Sequence, residues 1–283
     1  QYTDHVRLVS RHPEKINATD ETFSADLNNP SQVEEAVKDS EVVYLTAGLP
    51  YNIKIWQEQW PKIMDNVIHA SKKFGAKLIF FDNIYIYGKV KGPITENTPY
   101  NPCSKKGMIR LQLAQKLTNA WEKSEITGAI VRSADFYGIG ANNSAFNLLV
   151  LNKLKQKSKA QWLCNDQVRY SMTFTPDAAL GTALIGNSPD AMNQVWHLPS
   201  SSEPVTADEL IKLSAGINGT TSKHSILKKW LLQTGGLFNH TTREMIEMLY
   251  QYENDYIFDS SKFEKHFNFK AITYKEGIDR CFQ

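Results

Sequence analysis

The 283-residue chain is poor in cysteine and has no long apolar run. Cys103, Cys164 and Cys281 are an odd set with no C-x-x-C pair. That argues against a disulfide framework and a cysteine zinc site, and for a reducing, cytoplasmic compartment. No window approaches the 18 uncharged apolar residues of a membrane-spanning helix. The longest apolar runs, such as KLIFF at 77–81, are strand-sized. The histidines lack HxxxH or HxH spacing, so no metal is expected. Basic and acidic residues nearly cancel at a net +2, without the basic excess of a nucleic-acid binder. No glycine precedes Gly48, and no signal peptide is visible. Gln1 is followed almost at once by a strand-like segment, so further chain is expected upstream.

What is present reads as an ordinary globular protein, with 41% hydrophobic and 22% charged residues. Val6–Ser10, EVVYLT (41–46), KLIFFD (77–82), GAIVRS (128–133) and QVWHLP (194–199) read as strands. Helical patterns fall at 30–38, 60–74 and 104–122, the second ended by Gly75. Strands alternating with helices predict an α/β fold, a doubly wound, mainly parallel sheet covered on both faces. After Gly140 the helices shorten and turn residues accumulate. The expected division is a sheet domain of residues 1–140 and about 166–200. A smaller C-terminal lobe takes about 141–165 and 201–283.

Several motifs come in a telling order. They are Asp26-Leu27, Thr46-Ala47-Gly48, DNIYIYG (82–88), TENTPYNP (95–102), Arg132 with FYG (136–138), and TFTPDAA (173–179). Together they resemble the extended short-chain dehydrogenase/reductase family, in its NAD(P)-dependent epimerase/dehydratase branch. The resemblance spans essentially the whole chain. It implies a Rossmann-like sheet, a dinucleotide cofactor and a ligand crevice at the carboxyl ends of the strands.

Three departures stand out against that family. Its glycine-rich phosphate loop has no counterpart ahead of Gly48. Its catalytic Tyr-x-x-x-Lys pair falls on Lys106 and Arg110. Its Ser/Thr position falls on Asn83. The resemblance thus points to Asn83, Lys106 and Arg110 as the catalytic positions, with Tyr85 as a reserve proton donor on the same strand face. Lys106 acts either as a donor to the substrate oxygen or, with a depressed pKa, as a base. The plainer reading is that Lys106 and Arg110 form a solvated or phosphate-binding face.

Ser10, Arg11, Asp26, Leu27, Thr46, Ala47 and Gly48 are the expected cofactor-binding residues. Arg11 stands where an acidic residue would favour NAD, and its guanidinium suits the 2′-phosphate of NADP. Tyr87, Tyr100, Trp56, Trp60, Trp162, Arg169 and Tyr170 are further ligand candidates, each more simply read as packing. His197 reads as a strand residue with satisfied hydrogen bonds. Two functions remain open: an NAD(P)-dependent enzyme with a rebuilt proton-transfer site, or a cofactor-binding regulatory module. The expected partner is a small molecule such as a nucleotide sugar or carbonyl compound, with neither nucleic acid nor membrane. A homodimer stays open as the assembly.

Overall fold

A computed structural model describes residue 3 and residues 5–283. In chain order the first elements are β1 (Arg7–Ser10), β2 (Glu21–Ser24), α1 (Pro30–Val37), β3 (Val42–Leu45), α2 (Ile53–Phe74) and β4 (Lys77–Asp82). Then come β5 (Pro93–Ile94), α3 (Lys105–Glu122), β6 (Gly128–Arg132), β7 (Asp135–Tyr137), α4 (Asn152–Lys155) and β8 (Ala160–Leu163). β9 (Met172–Phe174), α5 (Thr175–Gly186), β10 (Gln194–His197), α6 (Ala207–Ile217) and β11 (His224–Leu227) follow. The last are α7 (Lys229–Phe238), α8 (His240–Met245), β12 (Ile257–Phe258), α9 (Ser261–Phe267) and α10 (Tyr274–Phe282).

The contacts divide the chain into two compact units. The first holds residues up to Asp82, Ile109–Ile130 and Thr182–Val195. The second holds Asn83–Met108, Val131–Gly181 and Trp196–Gln283. This partition puts 83–108, 131–140, 166–181 and 196–200 in the second unit, where the sequence boundaries place them in the sheet domain.

The architecture is the expected Rossmann-like α/β fold. A sheet runs in the order β10-β6-β4-β3, and β1 pairs with β2 separately. β3 and β4 are parallel, with Val42 opposite Lys77, and α2 makes the crossover between them. Leu78, Ile79 and Phe80 of β4 are fully buried, as expected of a strand with a near-continuous apolar run. α1 and α2 start at asparagine caps. Asn29 accepts from the amides of Ser31 and Gln32, and Asn52 from those of Lys54 and Ile55. The Asn52 cap explains why α2 begins at Ile53 and not near Trp60. It ends at Gly75 in the left-handed conformation, as the sequence indicates.

One local expectation is overturned. Asn83, Tyr85 and Tyr87 do not alternate along a strand, because β4 ends at Asp82. The Asn83 side-chain oxygen accepts from the Tyr85 amide at 3.1 Å, and residues 85–87 form a 3-10 turn. Gly88 closes that turn at φ +64°, where a Cβ would overlap the Asn101 carbonyl. The local hydrogen bond from the Tyr85 amide to Asn83 takes the place of the strand ladder and re-aims both tyrosines.

In the second unit β5 pairs with β12, β7 with β9, and β8 with β11, all in parallel. Reciprocal capping boxes start α6 (Thr206 with Glu209) and α10 (Thr273 with Glu276). No helix among the described residues is long and apolar enough to cross a membrane.

Candidate functional site

The parallel strands of the first unit present the expected cofactor residues at their carboxyl ends. Arg11 follows β1 and is exposed, its carbonyl accepting from the Ser24 hydroxyl at 2.9 Å. The Ser10 carbonyl accepts from the Ala25 amide, which ties the ends of β1 and β2 together. The Asp26 carboxylate accepts from the Asn28 amide and side chain at 2.9 and 3.0 Å. Those bonds, and more weakly the charge of Arg11, hold its pKa below the ordinary value. The Leu27 carbonyl is pinned by the Asn66 side chain at 2.9 Å. After β3, Thr46 and Gly48 are exposed and Ala47 is half-buried. A Cβ on Gly48 would meet nothing within 4 Å, so the chain's own packing does not demand glycine there. An exposed glycine after β3 and an exposed guanidinium after β1 are of the kind that the adenosine side of a dinucleotide uses.

Arg110 is not on a solvated face. Its Nε donates to Asp82 Oδ1 at 2.6 Å and its Nη2 to the Phe81 carbonyl at 3.3 Å. The guanidinium lies 4.7 Å from the Trp60 ring centroid and 4.8 Å from that of Phe80. Trp56 and Trp60 are therefore part of a buried aromatic setting for this ion pair.

In the second unit the turn carrying Asn83 and Tyr85 meets the start of α3. A Cβ on Gly107 would stand 2.6 Å from the Tyr85 carbonyl, so glycine permits this approach. Lys106 is completely buried. Its Nζ donates to Glu244 Oε2 at 2.6 Å, to the Glu244 carbonyl at 3.0 Å and to Glu247 Oε1 at 2.8 Å. Three acceptors match the three N–H bonds of an ammonium. The other carboxylate oxygen of Glu247 accepts from the Lys105 amide at 2.7 Å, in the first turn of α3.

Tyr87 belongs to a different network. Its hydroxyl lies 2.7 Å from His197 Nε2 and 2.9 Å from Arg132 Nη1. Burial, opposed by Arg132, pushes the Tyr87 phenol up to about 12. Burial likewise pushes His197 down to about 3, keeping the imidazole neutral. His197 is thus the satisfied core histidine expected from the sequence. Tyr100 extends the network, its hydroxyl accepting from Arg132 at 3.1 Å.

The other ligand candidates are engaged elsewhere. Arg169 makes a two-pronged pair with Asp255 at 3.0 and 2.6 Å. Trp162 is fully buried against Phe146, Tyr170 and Tyr252.

Sequence reasoning missed Glu244, Glu247, Glu96 and Asp135. Glu96 accepts from the His197 amide at 2.9 Å, and burial raises its pKa. Asp135 is half-buried and accepts from the hydroxyls of Tyr170 and Tyr252, the latter at 2.9 Å. Burial outweighs those bonds and raises its pKa. Glu244 and Glu247 carry no linear signal, being remote in sequence from Lys106. A lysine at a helix start followed by glycine was the only hint that a buried counter-charge was needed.

No curated protein matches the sequence closely enough to count. Solved structures match over almost the whole chain, at low identity. A UDP-glucuronic acid 4-epimerase from Bacillus cereus in complex with NAD aligns with TM-score 0.79 and 16% identity, covering 98% of this chain and 89% of that one. A double mutant of a dTDP-glucose 4,6-dehydratase from Streptomyces venezuelae aligns with TM-score 0.78 and 12% identity, covering 99% and 86%. A UDP-N-acetylglucosamine 4-epimerase from Bacillus cereus aligns with TM-score 0.74 and 14% identity, covering 98% and 88%. These likenesses show the fold. Residues 2–197 match the NAD-dependent epimerase/dehydratase family, and the chain belongs to that family.

Proposed function

We propose that the chain is an NAD(P)-dependent enzyme of epimerase/dehydratase type acting on a nucleotide sugar or related carbonyl compound, with Tyr85 as its proton donor. The observation that carries this reading is the capture of Lys106 by Glu244 and Glu247. With its three N–H bonds engaged, Lys106 acts as a fixed charge beside the turn. The half-buried Tyr85 phenol stands two residues from Asn83 on that turn. A phenol hydroxyl can present its hydrogen to a substrate oxygen. The similar structures include epimerases and a dehydratase of UDP- and dTDP-sugars, which supports the substrate class. The bound dinucleotide would supply hydride transfer. Arg11, Asp26 and the open backbone at Gly48 would hold its adenosine side, and Arg11 favours NADP. Cytoplasmic location and a homodimer belong to the same reading.

Two measurements test it. NADP and NAD are titrated into wild type and Arg11→Ala. The expected result is tighter NADP binding in wild type, lost by roughly tenfold in the variant, with NAD unchanged. Equal affinities in wild type would remove Arg11 from the site. Turnover is then followed over a panel of UDP- and dTDP-hexoses. Tyr85→Phe is expected to lower kcat by about 10²–10⁴-fold with the fold intact. Full activity in that variant would sink the assignment. NADP binding without turnover of any sugar would instead favour the regulatory module.

A further inference from the structure

Outside these residues, three side chains from three separate elements of the second unit converge. His224 heads β11, opposite Ala160 of the parallel strand β8. The chain leaving β8 turns at Cys164 (φ +54°), whose amide donates to the Leu227 carbonyl at 3.0 Å. That turn brings Asp166 Oδ2 to within 2.7 Å of His224 Nε2. Asp208 lies in the first turn of α6, and its amide donates to the Asp166 carbonyl at 3.0 Å. One ligand-capable atom from each of Asp166, Asp208 and His224 lies within 4.8 Å of the other two. All three side chains are largely shielded, at 18%, 17% and 13% exposure.

The orientation of the histidine is informative. Its Nδ1 faces the Ser222 carbonyl at 3.0 Å, outside the cluster, and an acceptor there requires Nδ1–H. In the neutral ring Nε2 then turns its lone pair toward Asp166. The arrangement needs a positive charge between them, either a proton or a metal ion. A carbonyl behind one ring nitrogen and carboxylates before the other is the common setting of a ligating histidine.

We propose that Asp166, Asp208 and His224 form a binding site for a divalent transition metal, in the class of Zn²⁺ or Co²⁺. One imidazole and two carboxylates match those ions better than Mg²⁺ or Ca²⁺, which favour all-oxygen sites. Three protein ligands leave room for water to complete the coordination. Two carboxylates and a neutral imidazole balance a dication. Lys212, which now pairs with Asp208 Oδ2 at 2.7 Å and is itself exposed, is released to solvent. The metal fastens β11, α6 and the loop after β8 to one another. It is a structural staple, independent of the reaction proposed above.

The test uses the full chain stripped with a chelator and titrated calorimetrically with zinc chloride and, separately, magnesium chloride near neutral pH. The expected result is one Zn²⁺ bound per chain with a rise in Tm, and much weaker Mg²⁺ binding. His224→Ala and Asp208→Asn should each weaken Zn²⁺ by at least about tenfold, and Lys212→Met should tighten it by removing the competing ammonium. Asp208→Asn keeps the side-chain shape, so it preserves the test if His224→Ala does not fold. Co²⁺ should give a weak visible spectrum without the intense thiolate band of cysteine ligation. Absence of Zn²⁺ uptake, uptake unchanged in Asp208→Asn, or a thiolate band would overturn the site. The three residues would then be an ion-pair network only.

Discussion

Lys106→Met should lower the free energy of unfolding by about 3 kcal/mol, the low end of what breaking a buried ion pair costs. The lysine side chain has no exposure, while its partners Glu244 and Glu247 are 10% and 24% exposed. Removing the ammonium leaves two partly shielded carboxylates without their common lysine, with His240 Nε2 at 3.7 Å from Glu244 Oε1 as a remaining neighbour. Glu247 also loses its rigid place against the Lys105 amide. Adding Glu244→Gln and Glu247→Gln to Lys106→Met should recover most of the loss, because the uncompensated charges vanish with the cation. Urea unfolding of the single and triple variants measures both. A single-variant change below about 1 kcal/mol would show that the triad behaves as a surface ion pair.

Arg110→Met should be more damaging, at about 3–5 kcal/mol. Asp82 has no side-chain exposure and Arg110 only 4%, so the carboxylate that loses this arginine is shielded from water. The guanidinium is also held over Trp60 and Phe80, and that attraction is lost with it. Asp82→Asn in the Arg110→Met background should restore part of the stability by removing the lone charge. If the double variant is no more stable than the single, the arginine stabilises through its aromatic contacts and not through Asp82.

The sheet was legible because its signals are local. KLIFFD is short, apolar and bounded, and Gly75 announces the end of α2 through its own backbone conformation. The turn at 83–88 was misread because DNIYIYG has strand-like alternation. Only the Asn83 side-chain bond and the left-handed Gly88 end the strand there. Positions 106 and 110 were found by motif spacing, but their chemistry was not. Whether a lysine is solvated or buried depends on Glu244 and Glu247, which tertiary folding delivers from far along the chain. The same holds for Asp166, Asp208 and His224, which share no linear spacing, so a search for close ligand pairs passes over them.

The row of bonds through Tyr87 has a single polarity. A guanidinium can only donate, so Arg132 presents hydrogens to the Tyr87 oxygen. At the far end the Asp259 carbonyl can only accept, which fixes the hydrogen of His197 on Nδ1, 2.8 Å away. His197 Nε2 is then an acceptor, and the Tyr87 hydrogen must point at it. Every hydrogen in the row is assigned, and reversing any one would leave two donors or two acceptors face to face. Such a row behaves as a one-way street that is already full: it admits no proton at either end and passes none along. Tyr85, two residues earlier on the same turn, lies outside this row, so the proton donation proposed for it does not run through Arg132, Tyr87 or His197.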